Sequence, residues 1–136
     1  MKLLLTSLLA LGLAFSVQAK EILLTDKNTV VLNKSFTGKS VAEVQNKLLE
    51  LSLKSGQDLY LFLYSPGGSI SAGKQLISFA KALPNKVHTV TQFAASMAYI
   101  TAQHLDTRYV LPSATMMSHR ASIGGLGGQV PGEGLC

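Results

Sequence analysis

A chain of 136 residues, 47% hydrophobic and 14% charged, is long enough for one domain with its own core and too short for two. That composition excludes a disordered, fibrous or low-complexity protein, and a single cysteine, Cys136, leaves no disulfide framework and no cysteine-based zinc site. Twelve basic residues against seven acidic ones give a net charge of +5, but they are scattered, with only two arginines, so nucleic-acid binding is not expected.

The amino end differs from the rest. Lys2 precedes an apolar stretch from Leu3 to Phe15, and Val17-Gln18-Ala19 places small side chains at the first and third positions before a cut. Thirteen residues are too few to span a bilayer as a helix. The segment reads as a secretory signal peptide over 1–19, cleaved after Ala19, with the domain running from Lys20 to Cys136. The expected location is therefore the periplasm or outside the cell. A partner ATPase is not expected there, because cytosolic ATP is out of reach.

Ile22–Leu24 and Thr29–Leu32 read as strands around the turn Asp26-Lys27-Asn28. Ser40 and Glu43 have the spacing of a capping box, and Val41, Val44, Leu48 and Leu51 follow at helical period, with Gly56 as the stop. Leu59–Tyr64 is apolar at every position, as a strand covered on both faces should be. Ser65-Pro66-Gly67-Gly68-Ser69 breaks it. A helix over Ser71–Leu83, a strand over Val87–Phe93 and a helix from Ser96 to about Leu105 follow. Arg108–Leu111 and Thr115–Ser118 read as two further strands around Pro112-Ser113, and Gly124–Gly134 is glycine-rich. Strands alternating with helices predict an α/β domain with a mainly parallel sheet and flanking helices.

In such sheets ligands bind beyond the carboxyl ends of the strands, and two of those ends stand out. Gly67-Gly68 can adopt positive φ and approach a bound group closely, although the pair by itself favours a plain tight turn. No lysine sits where a phosphate loop needs one. At the second end, Ser96 lies between a strand and a helix, with Ala94 two residues before it and Ala98 two after. A nucleophile elbow requires small residues there; the other reading is a helix cap. Of the three histidines, His88 falls within a strand as a surface or packing residue, and His104 near a helix end. His119 follows the strand Thr115–Met117 and is the best-placed base.

Taken together, three segments resemble the proteolytic subunit of the Clp protease family. They are Leu59-Tyr60-Leu61-Phe62-Leu63-Tyr64-Ser65-Pro66-Gly67-Gly68-Ser69-Ile70-Ser71-Ala72-Gly73, Gln92-Phe93-Ala94-Ala95-Ser96-Met97 and Leu111-Pro112-Ser113-Ala114-Thr115-Met116-Met117-Ser118-His119, in the family's order. The resemblance implies a ClpP/crotonase-like α/β fold and a serine endopeptidase. Ser96 would be its nucleophile and His119 its base, with Gly68 and Met97 as oxyanion donors. Gly124, Gly125, Leu126 and Gly127 would hold an extended peptide by main-chain hydrogen bonds. It implies no metal or cofactor, a peptide or unfolded-protein substrate, and a homo-oligomeric ring in the complete form. The family's handle helix, ring contacts and triad aspartate fall beyond Cys136, so the domain is expected to be C-terminally incomplete. None of the aspartates, Asp26, Asp58 and Asp106, occupies the family's acid position. Alternatives are a non-catalytic truncated homologue and a crotonase-type acyl-thioester enzyme, which shares the fold but needs no serine–histidine pair. A serine–lysine dyad would have to use Lys86, in a different element.

Overall fold

The computed structural model describes residues 21–123 and 130–131. The elements run β1 (Thr29–Leu32), α1 (Gly38–Lys54), β2 (Leu59–Ser65), α2 (Ile70–Ala82), β3 (Val87–Ala95), α3 (Met97–His104) and β4 (Arg108–Met117). A short antiparallel pair follows, β5 (Ser122–Ile123) with β6 (Val130–Pro131). The four long strands form one parallel sheet in the order β1-β2-β3-β4. The predicted α/β class, with a parallel sheet and flanking helices, is the one observed.

Strands laid side by side in chain order through right-handed crossovers put every helix on the same face. The burial pattern agrees. Val30 and Leu32 of β1, Leu59, Leu61 and Leu63 of β2 and Val87 of β3 join one core with Val41, Val44, Leu48 and Leu51 of α1. Ala72, Leu76 and Ala80 of α2 and Met97, Ala98 and Ala102 of α3 complete it. The other face is less covered than the apolar run of β2 predicts: Val31 is 54% exposed and Tyr64 51%. Aromatic rings share that face. Tyr60 lies 5.2 Å from His88, and Tyr64 lies 5.7 Å from Phe93.

Three expectations are corrected. Ile22–Leu24 is not a strand; no strand among the described residues pairs with it, and the Asn28 side chain donates to Leu23 O at 2.9 Å instead. The first helix is not capped by Ser40 with Glu43. Thr37 is the N-cap: its side chain accepts from Ser40 N–H, and Thr37 N–H donates to the Ser40 hydroxyl. The box is real but starts three residues earlier, and Glu43 pairs with Lys34 at 2.8 Å. The two strands expected around Pro112 are one strand with a gap in its pairing. Thr91 faces Val110 and Phe93 faces Thr115, so Leu111–Ala114 bulges out of register. Pro112 lies within that bulge, where it removes no ladder donor.

Candidate active site

Ser96 joins β3 to α3. Its backbone stands at φ 55° and ψ −123°, and it is the only non-glycine with positive φ among the described residues. Such a conformation costs a side-chain-bearing residue of order 1–3 kcal/mol and persists only where its surroundings enforce it. Three contacts do so. Ser96 N–H donates to Met117 O at 2.9 Å, fastening the elbow to β4. Ile100 N–H donates to Ser96 O at 3.1 Å, starting the helix. The Met97 side chain is buried and fills the space beside Gly73 of α2, where any Cβ would collide with it. The Ser96 hydroxyl makes no capping bond, so the helix-cap reading does not account for this serine. Met97 is the first helical residue, and its N–H has no partner one turn back within α3.

The turn after β2 closes over this elbow. Gly67 has φ 90° and Gly68 φ 142°. A Cβ on Gly67 would lie 2.6 Å from Ala95 O, 2.7 Å from Ser96 Cβ and 2.8 Å from Met97 N, so only glycine lets the two backbones approach this closely. Phe36, in the connection after β1, holds the turn from the other side. Its N–H donates to Gly67 O and its carbonyl accepts from Ser69 N–H, each at 2.8 Å. In a trans peptide the C=O and the following N–H point in opposite directions. Tying Gly67 O to Phe36 therefore aims the Gly68 N–H away from Phe36, and that N–H has no hydrogen-bond partner among the described residues.

His119 is exposed, two residues beyond the Met117 carbonyl that holds Ser96. The fold thus brings the serine and histidine segments to one end of the sheet, though no hydrogen bond joins Ser96 to His119 among the described residues. His119 Nδ1 lies 2.6 Å from Arg120 O. A carbonyl only accepts, so this contact requires the ring hydrogen on Nδ1, and in the neutral ring the lone pair is then on Nε2. Gly124, Gly125, Leu126 and Gly127, and the segment 1–19, lie outside the described residues.

His88, Asp58 and Asp106 serve the far end. His88 is the second residue of β3, eight positions before Ser96 and so about 26 Å away along the strand. It is buried; its Nε2 lies 2.9 Å from Asp58 Oδ2, and its Nδ1 accepts from Thr107 N–H. Asp106 Oδ2 accepts from Val87 N–H, and Asp106 N–H donates to Val87 O. Both carboxylates hold the starts of strands, opposite the Ser96 end. Beside them, burial above all, then Asp58 and Tyr109, pushes the Tyr60 phenol above its ordinary pKa. Sequence reasoning singled out neither Phe36 nor Ser65, the buried residue ending β2, although both hold the Gly67 turn. A serine between the apolar run Leu59–Tyr64 and Pro66-Gly67-Gly68 is the one signal the sequence offers.

The sequence profile of the Clp protease family matches residues 14–132. The chain is 40% identical over 90 residues to a protein described as ATP-dependent Clp protease proteolytic subunit 1 from Leifsonia xyli, covering 63% of this chain and 45% of that one. It is 36% identical over 105 residues to subunit 3 of Streptomyces coelicolor, covering 74% and 48%. Against subunit 1 of Chlamydia muridarum it is 37% identical over 106 residues, covering 75% and 55%. The chain spans about half the length of these curated relatives.

Proposed function

The chain belongs to the Clp protease family, and we propose on that basis that it is a serine-type endopeptidase with Ser96 as nucleophile. The observation that carries the proposal is the Ser96 backbone, held at φ 55° at a strand-to-helix junction with its hydroxyl spent on no cap. In the proposed reaction Ser96 Oγ adds to the peptide carbonyl while its proton passes to His119 Nε2, the ring nitrogen left free by the Arg120 carbonyl. The N–H groups of Gly68 and Met97 stabilise the oxyanion as charge develops on it. The C–N bond then breaks, His119 gives the proton to the leaving amine, and water releases the acyl group by the same route. The substrate is a peptide or loose protein segment lying along Gly124, Gly125, Leu126 and Gly127 as an added strand.

The relatives are described as ATP-dependent. For this chain we propose action without an ATPase, since residues 1–19 read as an export signal, and assembly of the complete form into a homo-oligomeric ring. Among the described residues Asp58 and Asp106 are engaged at the opposite end of the sheet and no carboxylate bonds to His119. That arrangement favours a non-catalytic subunit as the second reading. A fluorophosphonate probe decides between them. It should label the protein, and Ser96→Ala should abolish labelling. Equal labelling of the alanine variant, or none of the wild type, would reject the nucleophile.

A further inference from the structure

We infer that Ser65 is a positioning residue for the oxyanion loop: its buried hydroxyl sets the orientation of the Gly67–Gly68 peptide. The inference rests on the peptidase reading for its catalytic consequence, but not for its geometry. Ser65 ends β2, opposite Ala94 of β3, and is fully buried. Its Oγ donates to Lys34 O at 2.6 Å, thirty-one residues upstream, and accepts from Gly67 N–H at 3.2 Å. A hydroxyl has one proton. Committing it to Lys34 O turns the oxygen's lone pairs to the turn. Pro66 carries no N–H, so Gly67 supplies the first amide after the strand.

The two peptide planes flanking the Gly67 Cα are thereby tied separately. The plane before it is held through its N–H by Ser65, and the plane after it through its C=O by Phe36. Glycine has no side chain to restrict its own rotation. With both planes held, its φ of 90° is defined from outside, and the Gly68 N–H has one direction. Remove the Ser65 hydroxyl and the first plane is free to turn. The second then pivots on the single Phe36 bond, and the donor swings relative to Ser96. Lys34 and Phe36 both belong to the β1–α1 connection, so that connection supports the loop at two points.

The test uses Ser65→Ala and Ser65→Thr in the full chain, with Ser52→Ala as a control that removes a hydroxyl bonded to Asn85 far from the turn. Removing an oxyanion donor costs 10²–10³ in kcat, and a misaimed one should cost about 10–100-fold. For Ser65→Ala, kcat for a peptide should fall by that amount, with KM changed less than about twofold because ground-state binding does not use the donor. Hydrogen exchange at the Gly67 amide should quicken, Ser65→Thr should restore kcat and protection, and Ser52→Ala should leave kcat alone. An unchanged kcat, a change in KM alone, or a loss of kcat without faster exchange would overturn the inference. If the wild type cleaves no peptide and takes no probe, the peptidase reading fails; amide exchange in Ser65→Ala then still decides whether the hydroxyl holds the turn.

Discussion

Replacing Gly67 by alanine tests the contact between the turn and the elbow. The added methyl would meet three atoms of the β3–α3 junction at 2.6–2.8 Å, two of them backbone. Ordinary carbon contacts begin near 3.5 Å, so the turn and the elbow must separate by several tenths of an ångström. Overpacking of this kind costs about 1–3 kcal/mol, and a left-handed backbone at a non-glycine residue adds about 1–2 kcal/mol. The total, about 2–5 kcal/mol, is below the 5–15 kcal/mol that holds a typical domain together. Gly67→Ala should therefore fold, with reduced stability and a displaced turn. Since a displacement near 1 Å at a reacting centre can cost about 10²-fold in rate, probe labelling at Ser96 should slow by at least tenfold. Urea unfolding and labelling kinetics measure the two effects. Gly56→Ala, whose Cβ meets nothing within 4 Å, is the matched control. Wild-type stability and labelling in Gly67→Ala would refute the claim that the two backbones touch there.

Thr89 and Thr91 bury hydroxyls with no hydrogen-bond partner among the described residues, so Thr89→Val and Thr91→Val, which keep the shape and drop the polar atom, should each stabilise by about 1 kcal/mol in urea unfolding. The Tyr60 phenol is held above its ordinary pKa by burial, Asp58 and Tyr109. Above about pH 10 the unfolded chain loses a proton that the folded chain keeps, so stability is complete below that pH and falls as pH rises beyond it. Tyr60→Phe should flatten that alkaline limb, and an unchanged slope would remove Tyr60 as its source. Export predicts that N-terminal sequencing of the processed protein begins at Lys20; an intact Met1 in a soluble cytosolic fraction would contradict it.

Much of this protein was determined locally and could be read along the chain. β1 lies at Thr29–Leu32 as the β-branched run predicts, and the helices begin and end within a residue or two of their caps, α1 excepted. The strand-to-helix turn at Ser96 was legible because small neighbours and a change of periodicity are short-range features. What escaped the sequence depends on partners far apart in it. Ile22–Leu24 has strand composition, but composition does not supply a partner, and among the described residues no strand pairs with it. Thr37 and Ser40 could each cap a helix; the chain's exit from β1 selected Thr37. His88 looked like any strand histidine until the fold set Asp58 beside it, thirty residues away. Composition cannot show that Ser65 reaches Lys34, or that Phe36 brackets a turn more than thirty residues on. The Phe36 contacts are main-chain hydrogen bonds, which any residue but proline can make, and the Ser65 hydroxyl is accepted by a main-chain carbonyl that every residue carries, so the tertiary structure alone decided where the Gly68 N–H points.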